Sequence, residues 1–303
     1  MKRVLLTGAS GFVGRQVVAP LLASGFDVHS NSRKPLGWAG IREHSVDLFD
    51  EKSVSALLAE VRASHLIHLA WYTKPPEDWQ SSLNEDWERH SAHLFDHFVR
   101  NGGERIIGAG TCAEYEWGSA VLTEDGTPTK PATAYGKAKL SLFQRGTMLA
   151  QQSGTGVAWA RFFFLFGPHE RRERFVPSLI DALLRGEVAE CRNGDLERDF
   201  LYVEDAGAAL AALSDSRVTG AVNVASGVGI RLGKIAEAIG TEMGLKGSVK
   251  ITRGAMSADQ PAAIVANVDR LSREVGWTQR HDLTESIRKT ISWQSANRGS
   301  DAV

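Results

Sequence analysis

Val4-Leu5-Leu6-Thr7-Gly8-Ala9-Ser10-Gly11-Phe12-Val13-Gly14, near the start of the chain, decides the reading of the fold. The first three residues form a short apolar run with no polar alternation, as expected of a strand covered on both faces. The glycines follow with the spacing G-x-x-G-x-x-G, and an amphipathic helix begins at Gly14. In a strand–turn–helix unit Gly8 permits a tight turn, Gly11 lets backbone approach a ligand, and Gly14 lets helix and strand pack closely. The helix N-terminus then offers free N–H groups and partial positive charge, which suit a pyrophosphate. An ordinary strand–helix turn is the plain alternative, and the placement between an N-terminal strand and a helix favours the phosphate reading.

Outward from this turn the same rhythm repeats. Strands are expected at 3–6, 27–31, 65–69, 105–109 and 157–163, with helices at 14–24, 51–62, 84–101 and 134–152 between them. Alternation of this kind predicts an α/β fold, a Rossmann-type doubly wound parallel sheet. After Phe166 the rhythm breaks at Gly167-Pro168 and the basic run Arg171-Arg172-Glu173-Arg174. Helices near 177–185, 232–243 and 283–295 and strands at 199–203 and 221–224 complete the chain. The expected organisation is a dinucleotide-binding domain over 1–166 and a smaller C-terminal substrate-binding lid over 167–303. Segments near 199–225 are expected to return to the first domain.

The bulk properties narrow the class. A formal net charge of −1 over 303 residues gives no footprint for a nucleic acid partner. No apolar run is long enough to cross a membrane. The N-terminal apolar stretch is too short for a signal peptide, so a cytoplasmic setting is expected. Two cysteines, Cys112 and Cys191, support neither a disulfide framework nor a thiolate metal site, and no metal is expected.

The second expected strand ends at Asn31-Ser32-Arg33-Lys34. A ribose 2′-hydroxyl usually meets a carboxylate here, and none is present. Arg33 suits a 2′-phosphate, so NADP(H) is favoured and NAD(H) remains possible. A solvated basic pair, Arg33 and Lys34, is the plain alternative. Asp47 and Leu48 suit the adenine. Tyr135 and Lys139 stand four apart on one helix face. A free phenol, with a pKa near ~10, is a poor catalyst at neutral pH, and a nearby ammonium is expected to lower that value. Thr111 ends a strand upstream, where doubly wound folds bind ligands.

These residues carry a resemblance. Thr7–Gly14, Asp47-Leu48, His68-Leu69-Ala70, Thr111 with Tyr115, Tyr135/Lys139, Arg161 to Gly167-Pro168, Arg198-Asp199-Phe200 with Asp205, and Asn223–Gly227 resemble the extended short-chain dehydrogenases/reductases acting on nucleotide sugars. The resemblance covers nearly the whole chain. It implies an NAD(P)-dependent oxidoreductase with Thr111, Tyr135 and Lys139 as catalytic triad. It further implies a dinucleotide held by Gly8, Ser10, Gly11, Phe12, Val13, Gly14, Arg33, Asp47, Leu48, Leu69, Ala70, Tyr135, Lys139 and Phe162. The lid half would bind the nucleotide diphosphate, with Val176, Arg171, Arg174 and Arg198 as contacts. Family members commonly form homodimers through the 84–101 and 134–152 helices.

Within the family, 4,6-dehydratases follow the threonine with an Asp-Glu pair. Here Cys112 and Ala113 occupy those positions, so dehydration is not expected. The 4-epimerases often carry an asparagine where Phe164 stands. The segments Gly110–Tyr115 and Leu69–Tyr72 most resemble 4-ketoreductases of deoxysugar biosynthesis. The leading expectation is therefore NADPH-dependent reduction of a nucleoside-diphosphate 4-keto-6-deoxyhexose, with Tyr135 giving the proton and Thr111 orienting the carbonyl. An NAD-dependent nucleotide-sugar 4-epimerase is the alternative; a reductase of a non-sugar carbonyl and an NADP-sensing regulator are further ones. Trp71, Tyr72, Thr111, Cys112 and Phe164 are the sugar-side candidates, with packing under the lid as the other reading of Trp71 and Tyr72. Ala258-Asp259-Gln260-Pro261 lacks the arginine the family often places there, and Arg253 is the nearby substitute. His90, His93 and His97 read as the margin of a packing face, and Glu114 reads as structural.

Overall fold

The computed structural model describes residues 2–74, 77–118, 121–253 and 261–298. The N-terminal half contains β1 (Arg3–Thr7), α1 (Gly14–Ala23), β2 (Asp27–Asn31), β3 (Arg42–His44), α2 (Glu51–Val61), β4 (His65–His68), α3 (Leu83–Arg100), β5 (Arg105–Thr111), β6 (Val121–Leu122), α4 (Ala134–Ser153) and β7 (Gly156–Phe162). The remainder contains β8 (Phe164–Phe166), α5 (Phe175–Leu184), β9 (Ala189–Cys191), β10 (Glu197–Tyr202), α6 (Val203–Asp215), β11 (Gly220–Val224), β12 (Gly229–Arg231), α7 (Leu232–Glu242), β13 (Val249–Ile251), β14 (Ala263–Ala266) and α8 (Leu283–Ala296).

Seven parallel strands form the large sheet in the order β11-β7-β5-β4-β1-β2-β3. Successive side chains point to opposite faces, so each central strand feeds two cores. Val4 and Leu6 join the core under α1 and α6, while Leu5 joins the one under α2, α3 and α4. Ala158 and Ala160 divide from Val157 and Trp159 in the same way. Local chemistry sets the helix ends. Asp50 accepts from the N–H groups of Lys52 and Ser53 at the start of α2, and Thr133 does so from Gly136 at the start of α4. Gly154, at φ +78°, ends α4 in the left-handed conformation.

The 199–225 stretch divides between the two layers. β11 forms an edge of the large sheet, and α6 packs on α1, where a Cβ at Gly207 would lie 2.4 Å from the Gln16 carbonyl oxygen. β10 instead centres a second sheet, parallel to β8 and β14 and antiparallel to β12. β6, from the N-terminal half, pairs with β14 and so also belongs to that sheet. A third core gathers Val176, Ile180, Phe200, Tyr202, Ile235 and Ile287 between α5, α7 and α8. The chain order of the large sheet reverses between β1 and β4, and the ends of these strands mark the crevice where a doubly wound sheet takes its ligand. Among the described residues no helix is long and apolar enough to cross a membrane.

Candidate active site

The turn after β1 is tight for a geometric reason. Gly8 has φ +75°, and a Cβ there would lie 2.6 Å from the Ala70 nitrogen. A Cβ at Gly14 would lie 2.1 Å from the Gly8 carbonyl oxygen. At Gly11 it would meet only that same oxygen, at 3.1 Å, so this part of the turn faces open space. Ser10 is exposed, Phe12 and Val13 are half-buried, and no side chain caps the start of α1. Free N–H groups beside an open glycine surface fit a dinucleotide diphosphate.

The other expected dinucleotide contacts lie at the same end of the sheet. Leu69 and Ala70 leave β4, Phe162 ends β7, and all three are half-buried. Leu48 is half-buried and Asp47 is exposed, its carboxylate accepting from the Phe49 N–H at 3.0 Å. Arg33 has an exposed side chain, and its carbonyl accepts from Ser45 Oγ at 2.9 Å. Asn31 was not anticipated. Its side-chain amide exchanges two 3.0 Å hydrogen bonds with the Val46 backbone and so clamps the rim of this surface. His68 entered the sequence reading only as part of His68-Leu69-Ala70, with no role of its own. Its ring bridges Thr7 Oγ1 and Ser91 Oγ, both at 2.7 Å, and burial with the nearby Lys139 charge holds its pKa down to about 3. It is a neutral structural link between β1, β4 and α3.

Thr111, Tyr135 and Lys139 come together because α4 presses on the turn after β5. A Cβ at Gly136 would lie 2.4 Å from the Ala113 carbonyl oxygen, so only glycine admits this approach. The Thr111 side chain stands near enough to Tyr135 to work against the rise in its phenol pKa. Glu114 fixes the turn. Fully buried, it accepts from the Thr111 N–H, Trp159 Nε1 and Arg161 Nε, each at 2.8 Å. Burial pushes the Glu114 carboxyl up against the pull of Arg161. Burial also works to lower Arg161, yet Glu114 and Tyr115 hold its guanidinium above the ordinary value.

The electrostatics of the pair differ from expectation. Burial pushes the Tyr135 phenol above its ordinary value, Glu114 and Cys112 add to this, and the Thr111 side chain offsets part of it. Burial lowers Lys139 to about 7, with Glu114 opposing. The ammonium stands 3.6 Å from the Trp71 ring centroid and 5.8 Å from that of Tyr135. Burial therefore outweighs the pull of Lys139 on the Tyr135 phenol in this arrangement, and the ammonium sits on the indole.

A second cavity, of about 320 Å³, opens on the other side of Tyr135. Trp79 and Trp117 wall it, and the Trp79 ring lies 6.5 Å from that of Tyr135. Phe164, Phe175, Phe200 and Arg198 line its floor. Arg198 Nη1 donates to the carbonyls of Glu197 and Pro261, at 2.7 and 3.0 Å, which aims the guanidinium. The remaining candidates are distributed differently. Cys112 is buried and its thiol is pushed up to about 12, with Ala113 beside it, so no acid–base pair follows Thr111. Tyr72 is half-buried. Arg174 is engaged by Asp78 at 2.7 Å. Val176 faces the third core, and its neighbour Phe175 reaches the cavity instead. Arg253 pairs with Asp195 at 3.2 Å in solvent, and Ala258-Asp259-Gln260 lies outside the described residues. The two tryptophans 79 and 117 were missed, since neither sits in a recognisable spacing. Among the described residues no His, Cys, Asp or Glu cluster forms a metal site. A larger open groove, about 720 Å³, runs along β11, but its lining includes none of Thr111, Tyr135 or Lys139. There Arg270 donates to the Ala221 carbonyl and Glu124 accepts from the Asn223 N–H, closing free backbone groups of the edge strand.

Known proteins resemble this chain over nearly its whole length. The UDP-glucose 4-epimerase of Corynebacterium glutamicum is 25% identical over 321 residues, covering 97% of this chain and 96% of that one. The dTDP-glucose 4,6-dehydratase of Streptomyces griseus is 26% identical, covering 97% and 94%. Among solved structures, MoeE5 in complex with UDP-glucuronic acid and NAD superposes with a TM-score of 0.84 at 28% identity, covering 97% of this chain and 99% of that one. MoeE5 carries NAD in both of its complexes, with UDP-glucuronic acid and with UDP-glucose, and none of these findings supports the preference for NADP(H). Residues 4–225 match the NAD dependent epimerase/dehydratase family, and the chain belongs to it.

Proposed function

We propose that this protein acts at C4 of a nucleotide sugar by reversible oxidation, and that it is a nucleotide-sugar 4-epimerase. One observation carries the reading: Thr111, Tyr135 and Lys139 meet between the open glycine turn and an aromatic cavity floored by Arg198. Relatives named UDP-glucose 4-epimerase that span nearly the full chain support it. A nicotinamide dinucleotide held by Gly8–Gly14, Leu69, Ala70 and Phe162 would supply the two-electron acceptor and donor.

The chain's own residues handle the proton and the position of the sugar. Tyr135, as phenolate, takes the proton of the C4 hydroxyl as that carbon becomes a ketone, and returns it when the alcohol re-forms. Thr111 hydrogen-bonds the same oxygen. The Lys139 ammonium favours the phenolate. Arg198 pairs with the diphosphate, for which a guanidinium has matching geometry. Trp117 spends its N–H on the Cys112 carbonyl at 3.0 Å and offers the sugar only its ring face. Apolar walls of this kind hold a sugar without fixing which face it presents.

A second reading is net reduction of a 4-keto sugar by NADP(H). Arg33 favours it, standing exposed where a ribose-binding carboxylate is absent, as does Phe164 at a position where epimerases often have asparagine. The same proposal makes the protein a homodimer through α3 and α4, whose exposed surface includes Leu83 and Met148, and sedimentation velocity tests it. The test of function is a panel of UDP- and dTDP-sugars with and without added NADPH. Inversion at C4 without net absorbance change at the nicotinamide band is the expected result. Stoichiometric NADPH consumption with a 4-keto sugar would select the second reading, and inertness toward every sugar would overturn both.

A further inference from the structure

Lys139 is only 2% exposed, and among the described residues it forms no ion pair. Burying an ammonium without a partner is costly. Its compensation is visible in the geometry: the Trp71 ring centroid lies 3.6 Å from Nζ. An indole face is the best aromatic partner for a cation, and it gains strength where water is excluded. Trp71 is itself fixed. Its Nε1 donates to Asn84 Oδ1 at 2.8 Å, and Asn84 is fully buried, donating to the carbonyls of Asp78 and Ser81 at 2.8 and 2.9 Å. Only an indole offers both a ring face and an N–H to this arrangement. The ring also meets Tyr135 edge-on, with centroids 6.5 Å apart.

We propose that Trp71 is a positioning residue of the site, holding the Lys139 ammonium beside Tyr135 through its ring face, with Asn84 setting the angle of the indole. This rests on the reading of Tyr135 and Lys139 given above. The ionisable groups that face Lys139 are His68 on β4, Glu114 on the turn after β5 and Tyr135 on its own helix. His68 stays neutral, so Glu114 and the indole remain as the groups that favour the charged lysine.

A purely packing role for Trp71 makes a different prediction, and a direct titration separates the two. Full-length protein with ¹³C-labelled lysine is titrated by NMR, the Lys139 signal being identified by its absence in Lys139→Met. In Trp71→Leu the Lys139 pKa falls by about one unit, a tenfold change in its protonation equilibrium. In Trp71→Phe, which keeps a weaker ring face and loses the Asn84 bond, it falls by less. Asn84→Leu, with Trp71 intact, lowers it in the same direction. An unchanged Lys139 titration in folded Trp71→Phe or Trp71→Leu overturns the proposal. If Trp71→Leu does not fold, the Phe and Asn84 variants decide. The titration needs no substrate, so a protein inert toward every nucleotide sugar would sink the functional reading and leave this one standing. Where turnover is found, the alkaline limb of its pH profile moves down in pH in step with the titration.

Discussion

Arg161 Nε donates to Glu114 Oε2 at 2.8 Å, and the two side chains are 2% and 0% exposed. This buried pair stands directly behind Thr111, whose N–H Glu114 also accepts. An ion pair so placed adds little net stability over an apolar core, yet removing one partner leaves the other charge stranded. Glu114→Gln should therefore cost about 3–5 kcal/mol of unfolding free energy in urea. A loss below about 1 kcal/mol would mean that Arg161 finds another acceptor.

Tyr135→Phe removes the hydroxyl that the proposed reaction uses to exchange a proton with the C4 oxygen and leaves the glycine turn untouched. Turnover should fall at least about 100-fold. Dinucleotide affinity, measured by calorimetry, should stay within a small factor of the wild type. Full activity in this variant would remove Tyr135 from the mechanism.

Gly8→Ala confronts a positive φ and the Ala70 backbone together. Neither neighbour is a flexible side chain, so the turn must shift. Dinucleotide affinity should drop about tenfold or more. The melting temperature should fall with it, and unchanged binding would show that the turn does not contact the dinucleotide.

His68 gives a pH signature. Its pKa lies at about 3 in the folded chain and at 6.5 when unperturbed. The unfolded chain therefore binds a proton that the folded chain refuses between these values. The stability His68 contributes is complete above pH 6.5 and is lost as pH falls toward 3. The slope is up to about 1.4 kcal/mol per pH unit. His68→Asn should be less stable than the wild type at pH 7, and the gap should narrow as pH falls, read from urea melts across this range. A gap independent of pH would mean that folding does not shift the His68 titration.

Arg198→Ala should weaken UDP binding about tenfold or more while leaving dinucleotide binding intact, by calorimetry with each ligand. Equal UDP affinity would move the diphosphate away from the second cavity.

How much of this was legible in the sequence depended on the length of the signal. β1, the glycine turn and α1 could be read because an apolar run, three spaced glycines and a helical period coincide within two dozen residues. Strands of three residues, such as β8, β9, β12 and β13, carry less than two periods of alternation and vanish among loops. β6 contributes two residues to a sheet formed mostly by the other half, which no local pattern reports. At the site, Tyr135 and Lys139 were legible from helical spacing. The ammonium on Trp71 was not, because that contact joins the segment after β4 to α4. Glu114 reads as structural in the sequence, and in the fold it is buried with its carboxylate fully engaged. That it organises Thr111, Trp159 and Arg161 follows only from the pairing of β5 with β7. Arg33 was legible as a basic residue at the right strand end, but its exposed side chain meets nothing in the fold that selects one cofactor.

The most direct test of C4 chemistry is a single-turnover reaction with UDP-glucose carrying deuterium at C4, followed by NMR of the sugar. The account predicts a 4-epimer whose deuterium is still at C4, formed more slowly than from the unlabelled sugar, and no product with Tyr135→Phe. Retention of the starting configuration in every nucleotide sugar supplied, or product formed at full rate by Tyr135→Phe, would contradict it.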